Sequence, residues 1–145
     1  MLTAISEVAV KSSVLFRVSA ILILLFALGH TFGFRQIDPA WHIDDLIGSL
    51  RSTKFQAAGF ERSYWDFYAG FGFFVSVFLV FAAVVAWQFS RFAQPLPAPV
   101  RTISWALAIS FGLTTVLGWR YFFAIPIGFS ALICVCLSLA AASSR

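Results

Sequence analysis

Four uninterrupted apolar stretches constrain this chain more than any other feature of its sequence. A hydrocarbon core about 30 Å thick requires about 20 mostly apolar residues per helix. The stretches that meet this requirement lie at about residues 14–34, 64–89, 102–119 and 121–142. They are too long for the strands of a membrane β-barrel, which span in segments of about ten alternating residues. The sequence therefore predicts an all-α membrane protein, a bundle of four transmembrane helices in a single domain.

Composition agrees with this prediction. Of the 145 residues, 61% are hydrophobic and 11% are charged, whereas soluble domains are about half apolar and about a quarter charged. The 10 basic and 6 acidic side chains are too few to cover the surface of a soluble chain. The net charge of +4 comes without any run of Lys or Arg, so it does not indicate nucleic acid as a partner. A soluble enzyme and a nucleic-acid-binding protein are both excluded.

The connection between the first two stretches, residues 35–63, contains its own helical pattern. Asp38 can cap a helix, and Pro39 suits the first helical position. Trp41 is an aromatic residue of the kind that anchors segments at a membrane interface. The apolar residues expected on one face are Ile43, Leu46, Ile47, Leu50 and approximately Phe55. We expect an amphipathic helix in the interface, either as a lid or as a membrane-resting linker.

An even number of spans places both termini on the same side of the membrane. The 10 basic residues divide evenly between the two sides, but four of the six acids lie within residues 35–63 and offset the bases there. The positive-inside rule then favours cytoplasmic termini in a bacterial cytoplasmic membrane, although the even count leaves room for dual insertion. The first stretch also resembles a signal peptide, but it continues through Phe32 and Phe34, so we expect it to be retained.

Ionisable residues gather toward one membrane face. His30 lies near the end of the first span, Asp66 near the start of the second, and Arg120 at the junction of the third and fourth. Ionisable groups at such positions are costly and often functional. We expect His30 and Asp66 to transfer protons as a catalytic pair. The residues expected to bind substrate beside them at that face are Arg120, Tyr121, Asp38 and His42.

Structural alternatives exist for each of these residues. His30 can donate to a carbonyl of a neighbouring helix. Asp66 can cap its helix or pair with Arg62. Arg120 can extend to lipid headgroups.

Aromatic residues make up 18% of the chain. The tryptophans lie near the ends of the spans, as in an aromatic belt. Residues of the second span are expected to line a cavity for a hydrophobic substrate, where ring faces can stabilise a carbocation. The candidates are Trp65, Tyr68, Phe73 and Phe74. Ordinary packing and lipid contact is the alternative interpretation of the phenylalanines.

Two further patterns concern helix packing. Ala106, Ser110, Thr114 and Gly118 recur at intervals of four in the third span. Such small residues allow close helix approach, so we expect them to pack within the chain, with a homo-oligomer interface as the alternative. Pro126 is expected to kink the fourth helix and to open a cavity there, although proline is also tolerated in membrane helices without any role.

Two segments carry a resemblance. Gly29-His30-Thr31-Phe32-Gly33 and Tyr64-Trp65-Asp66-Phe67-Tyr68-Ala69-Gly70-Phe71-Gly72 resemble a family of small uncharacterised bacterial four-helix membrane proteins. This resemblance covers most of the chain and implies an architecture but no activity. In layout the chain is also similar to the emopamil-binding, sterol-isomerase-like membrane proteins, which protonate and deprotonate a sterol inside a helical bundle. The mid-helix acids of that group are missing here.

These observations predict a membrane protein that binds a hydrophobic lipid or isoprenoid, as an acid–base isomerase or cyclase. The alternative is a non-enzymatic small transporter, or a lipid-binding or accessory subunit. No metal or other cofactor is expected, because His42-Ile43-Asp44-Asp45 lacks a second close histidine. The expected partner is a membrane lipid or a hydrophobic small molecule.

Overall fold

In a computed structural model of the protein, residues 2–92 and 95–143 are described, with side chains from residue 12 onward. This part of the chain is mostly helical, with α1 at Leu2–Gly33, α2 at Asp44–Ser52, α3 at Tyr64–Phe89, α4 at Ala98–Tyr121 and α5 at Ala124–Ala142. Two short strands, β1 at Lys54–Ala57 and β2 at Phe60–Ser63, lie between α2 and α3. Four of the helices are long and apolar enough to cross a membrane, as the sequence predicts.

The four candidate spans are Ser12–Gly33, Tyr64–Phe89, Ala98–Tyr121 and Ala124–Ala142. The second matches the prediction at both ends. The third begins four residues earlier than expected, because Ala98 and Pro99 form its first turn, where a proline loses no helical hydrogen bond. Pro97, the N-cap residue, and Pro99 therefore mark the start of this helix. Gln94, which precedes them, lies outside the described residues.

Contacts divide the chain into two compact units. One, the loop unit, is Ala27–Phe78 and contains the end of α1, α2, the strands and the first half of α3. The other, the helical unit, contains the earlier part of α1, the rest of α3, α4 and α5.

Small side chains contribute to the packing of α4 against α5 in the helical unit. The buried residues of α4 are Ser104, Ala108, Phe111 and Gly118. A Cβ atom on Gly118 would lie 3.2 Å from the side chain of Ile127 in α5, so the missing side chain permits close approach of the two helices. Between the same helices, Thr115 Oγ1 donates to Ser130 Oγ at 3.0 Å. Interhelical hydroxyl contacts of this kind replace the hydrophobic driving force that lipid does not provide.

The prediction that a stripe of small residues on α4 packs within the chain is wrong for three of its four residues. Ala106, Ser110 and Thr114 are exposed, and only Gly118 is buried. The hydroxyls of Ser110 and Thr114 donate to carbonyls one turn earlier in their own helix, at 2.8 and 2.9 Å. A helix that satisfies its own polar groups can turn these residues outward without an unpaired donor.

The kink expected at Pro126 has no basis in the structure. α5 begins at Ala124 rather than at Tyr121, because Tyr121 ends α4 and Phe122 and Phe123 are extended. Pro126 is therefore the third helical residue, where its missing N–H has no partner within the helix. The proline starts α5 without interrupting it.

The connection between α1 and α3 is partly as predicted. Asp38 Oδ1 accepts from the Ala40 backbone N–H at 2.9 Å and caps a single 3₁₀ turn, Pro39–Trp41. His42 follows in the left-handed conformation and separates this turn from α2. The helix ends at Ser52, so the prediction that Phe55 continues its apolar face is wrong.

Phe55 belongs to an antiparallel hairpin whose end pair is Ala57 and Phe60. The two residues between them, Ala58 and Gly59, both have positive φ, at 51° and 87°. Two positive-φ residues match the right-handed twist of the flanking strands. On the adjoining helix, the Phe55 ring contacts those of Tyr64 and Phe67, at centroid distances of 5.0 and 5.8 Å.

Candidate functional site

His30 contacts the backbone of α3 in the loop unit. Its Nε2 lies 3.1 Å from the carbonyl oxygen of Gly72. Because a carbonyl only accepts, Nε2 is the donor. The imidazole also stacks on the Phe34 ring, at a centroid distance of 5.1 Å and an angle of 20°. This geometry matches the structural alternative for His30, and within the described residues Nδ1 has no hydrogen-bond partner.

Gly72 is the residue that permits this contact. A Cβ atom at this position would lie 2.2 Å from Cε2 of Phe34 and 2.6 Å from its Cζ. Real Cβ atoms do not approach other atoms this closely, so any side chain would displace the Phe34 ring. The ring therefore lies directly against the backbone of α3.

Hydroxyl groups extend the contact by one turn of each helix. Thr31 Oγ1 lies 2.8 Å from Ser76 Oγ and 2.7 Å from the carbonyl oxygen of Ala27. Ser76 Oγ in turn donates to the Gly72 carbonyl at 3.2 Å. The Gly72 oxygen, inside α3, thus accepts from the side chains of both His30 and Ser76.

Phe34 is the centre of an aromatic cluster. Its ring meets that of Phe73 edge-on at 5.4 Å, and its carbonyl accepts from the Tyr68 hydroxyl. The guanidinium of Arg35 lies 4.9 Å from the Phe73 centroid. Trp65 contacts the Tyr68 ring at 5.4 Å and has the Arg51 guanidinium 4.2 Å above its own ring. Trp65, Tyr68 and Phe73 thus contact neighbouring rings, while Tyr68 and Phe73 keep exposed surface. Their expected role in lining a substrate cavity stays a prediction.

Asp66 forms a capping box with Ser63 at the start of α3. The Ser63 backbone N–H donates to Asp66 Oδ2 at 2.7 Å, and the Asp66 N–H donates back to Ser63 Oγ at 3.2 Å. Ser63 Oγ also donates to Oδ2, at 2.9 Å. This reciprocal pairing satisfies donors that every helix start leaves unpaired. Lys54 on β1 adds an ion pair to Oδ2 at 3.8 Å.

His30 and Asp66 have separate partners. His30 bonds to Gly72, which lies six residues beyond Asp66 and therefore about 9 Å farther along the axis of α3. Among the described residues, no hydrogen bond joins the two side chains. Their assignment as a proton-transfer pair stays a prediction.

The remaining predicted residues belong to two different parts of the chain. Asp38 and His42 are both exposed around the 3₁₀ turn. Arg120 and Tyr121 belong to the helical unit, where the guanidinium lies 5.2 Å from the Tyr121 ring centroid. Their expected roles in binding a substrate stay predictions.

A shallow groove with a volume of about 280 Å³ lies along the start of α3. We name it the charged groove; its lining residues are Arg62, Asp66, Phe67, Gly70, Phe71 and Phe74. Two of the predicted site residues, Asp66 and Phe74, line it. Gly70 leaves a gap in the row of phenylalanines, because a Cβ at this position meets nothing within 4 Å. The charged end and the aromatic wall together form an amphiphilic surface.

Sequence reasoning gave no role to two residues that build this region, Ser63 and Gly70. Ser63 was recognisable, because Ser63-Tyr64-Trp65-Asp66 has the spacing of a capping box before an apolar run. The spacing of Gly70 and Gly72 does not show their different roles: Gly70 leaves open space in the charged groove, and Gly72 allows the Phe34 ring to lie against α3. No group of three or more His, Cys, Asp or Glu residues that could hold a metal occurs in the part of the chain that the structure describes.

Comparison with protein-family models, with curated proteins and with solved structures finds no match for this chain.

Proposed function

We propose that this chain is a small integral membrane protein that binds an amphiphilic lipid or isoprenoid in the charged groove. The supporting observation is the combination of Arg62 and Asp66 at one end with three exposed phenylalanines along the rest. From Asp66 to Phe74 the groove follows α3 for about 12 Å. A lipid whose headgroup lies at the membrane interface, beside Arg62 and Asp66, therefore places the first part of its hydrocarbon chain against the phenylalanine rings. A few placed polar groups with an apolar wall are typical of ligand sites.

The same proposal includes a membrane arrangement. The four apolar helices form one bundle in a bacterial cytoplasmic membrane, with both termini cytoplasmic and α2 at the opposite interface. Support for the interfacial position of α2 comes from its amphipathic sequence, in which Ile43, Leu46, Ile47 and Leu50 share one face. Ile43, Ile47 and Leu50 are half-buried, while Leu46, Asp44 and Asp45 are exposed.

Blocking the groove tests the binding proposal. Gly70→Leu fills the gap in the wall, and the open space at this position allows the helix to fold around the new side chain. Gly29→Leu is the matched control, because Gly29 is also helical and open but does not line the groove. Native mass spectrometry of delipidated protein, titrated with a dioleoyl phospholipid and with a long-chain isoprenyl phosphate, counts bound lipid. We expect at least tenfold weaker binding in Gly70→Leu alone; equal binding in both variants and the unchanged protein contradicts the proposal.

Isomerase or cyclase chemistry is a second, separable part of the proposal. It is supported by the unused Nδ1 of His30 and by the exposure of Asp66, whose side chain is 45% accessible. If the isoprenoid is a substrate, the unchanged protein converts it to an isomer that chromatography resolves, and both His30→Ala and Asp66→Asn abolish conversion. Conversion that persists in folded variants contradicts the catalytic pair. Binding without conversion by the unchanged protein favours the non-enzymatic alternative.

A further inference from the structure

Two opposite charges, Arg62 and Asp66, line the charged groove without forming an ion pair within 4.0 Å of each other in the part of the chain that the structure describes. Across residues 12–92 and 95–143, the one ion pair within 4.0 Å joins Lys54 to Asp66. Arg62 lines the same groove but lies outside that pair. A cation and an anion side by side, both accessible, provide two recognition points of opposite sign.

One carboxylate oxygen of Asp66 remains free. The contacts from Ser63 and Lys54 all go to Oδ2. Oδ1 has no partner among the residues that the structure describes. An ionised carboxylate offers about four acceptor positions, so Oδ1 can receive donors from a ligand while Oδ2 continues to cap α3.

Arg62 uses few of its N–H donors in contacts within the protein. Nη1 donates to the Glu61 carbonyl at 2.6 Å, and the guanidinium carbon lies 5.2 Å from the Phe60 ring centroid. A guanidinium carries five N–H donors in a planar fork that fits phosphate oxygens, so most of its capacity is unused.

The local charge balance distinguishes classes of headgroup. Lys54, Glu61, Arg62 and Asp66 lie on the hairpin and the first turn of α3, and together they carry no net charge. An excess of cations, which would favour a purely anionic head, is therefore not present here. A zwitterionic head with a phosphate and an ammonium group matches one charge to each recognition point.

We infer that the charged groove selects a phospholipid whose head carries both a phosphate and a primary ammonium group. Arg62 binds the phosphate through its free N–H groups, and Oδ1 of Asp66 accepts hydrogen bonds from the ammonium. The acyl chain follows Phe67, Phe71 and Phe74. This inference rests on the proposed lipid binding and specifies the chemistry of the head.

Three lipids with identical dioleoyl chains test it on the unchanged protein: phosphatidylethanolamine, phosphatidylcholine and phosphatidylglycerol. Phosphatidylcholine keeps the positive charge but has no N–H donor for Oδ1, and phosphatidylglycerol lacks the cation. Titration by native mass spectrometry should show phosphatidylethanolamine binding about tenfold more tightly than either.

Two variants test which residue recognises which group of the lipid head. In Asp66→Asn the amide oxygen can still accept from Ser63, and the preference for phosphatidylethanolamine over phosphatidylcholine should fall to within twofold. Arg62→Gln should weaken the binding of all three lipids similarly and keep that preference. Arg51→Gln removes an arginine that lies over Trp65 outside the groove, and should leave all three affinities unchanged.

The outcomes separate this inference from the proposed function. Equal affinities for the three lipids, each still weakened by Gly70→Leu, overturn the headgroup assignment and leave lipid binding intact. Tightest binding of phosphatidylglycerol overturns it in favour of an anionic ligand. Lipid binding that Gly70→Leu does not weaken overturns the proposed function itself. The measurements on the unchanged protein decide the matter even if Asp66→Asn fails to fold.

Discussion

A groove lies on the surface of each unit of the molecule, and the two grooves differ in the chemistry of their linings. The charged groove of the loop unit ends in Arg62 and Asp66. The groove of the helical unit, here named the apolar groove, is the larger at about 400 Å³ and is lined by Leu22, Ala124, Ile125, Gly128, Phe129 and Leu132. No lining residue of the apolar groove is charged or carries a polar side chain.

This difference shows why volume alone does not identify a ligand site in a membrane protein. Lipid chains fill any apolar depression on a transmembrane surface, with little preference among lipids. A polar anchor at one end provides orientation and selectivity, because it recognises one headgroup and rejects others. The smaller groove is therefore the stronger candidate.

The largest effect that we expect concerns the two sides of α3. Gly72→Ala places a Cβ 2.2 Å from the Phe34 ring, which must move and release the stacking on His30. Overpacking of this kind costs about 1–3 kcal/mol. Gly70→Ala, two residues away and facing open space, should be neutral or stabilising by up to about 1 kcal/mol, because alanine favours helix.

Thermal unfolding in detergent, followed by circular dichroism, compares these two variants. Equal midpoints would show that Phe34 does not lie against α3 as described. The difference between the Gly72 side of α3, which contacts Phe34, and the Gly70 side, which is open, would then be lost.

The second prediction compares the two grooves directly. Gly128→Leu fills the apolar groove as Gly70→Leu fills the charged groove, and neither position has an atom within 4 Å of a new Cβ. Phosphatidylethanolamine affinity should fall about tenfold in Gly70→Leu and less than twofold in Gly128→Leu, as measured by native mass spectrometry. A larger loss of affinity in Gly128→Leu would indicate that the selective site is the apolar groove of the helical unit.

The third prediction concerns the capping box that supports the charged groove. Ser63→Ala removes both hydroxyl bonds to Asp66 and should lower the free energy of unfolding by about 1 kcal/mol. The matched control is Ser19→Ala in the helical unit, where the hydroxyl donates only to the Leu15 carbonyl of its own helix. We expect the control to change stability by less than half as much in the same unfolding assay. Equal losses would indicate that the capping contacts contribute nothing specific.

The smallest effect is expected at the rim of the loop unit. Arg51→Gln removes the guanidinium that lies 4.2 Å above Trp65, an exposed cation–π contact typically contributing about 0.5–1 kcal/mol. Arg17→Gln, in the helical unit, serves as the control, since its guanidinium has no aromatic ring in the described contacts. Indistinguishable unfolding midpoints for the two variants would rule out a stabilising role for the Arg51 contact.

Sequence patterns predicted the long elements well. The bounds of α3 agree at both ends, because its apolar run begins directly after Ser63 and charged residues precede it. Asp38 and Pro39 also start a turn as expected, although it is a short 3₁₀ turn.

Apolar length alone does not show which face of a helix packs against a neighbour, so the buried faces and the turns were predicted less well than the long helices. The exposed side of α4 carries a more regular stripe of small residues than the buried side, so periodicity pointed to Ala106 instead of Ala108. The hairpin was missed because Ala58 occupies a positive-φ position, where glycine or asparagine would have marked the turn. Asp66 was recognised as important, but its partner Ser63 was overlooked.

Photo-crosslinking tests the central claim, that the charged groove holds a lipid, most directly. A phosphatidylethanolamine analogue with a diazirine in the upper part of one acyl chain is incorporated with the unchanged protein into nanodiscs and irradiated. Peptide mass spectrometry then locates the label. The account predicts labelling concentrated on residues 67–74, and its reduction by unlabelled phosphatidylethanolamine but not by phosphatidylglycerol. Labelling spread evenly over the exposed helix faces, or concentrated on residues 124–132 of the apolar groove, would contradict it.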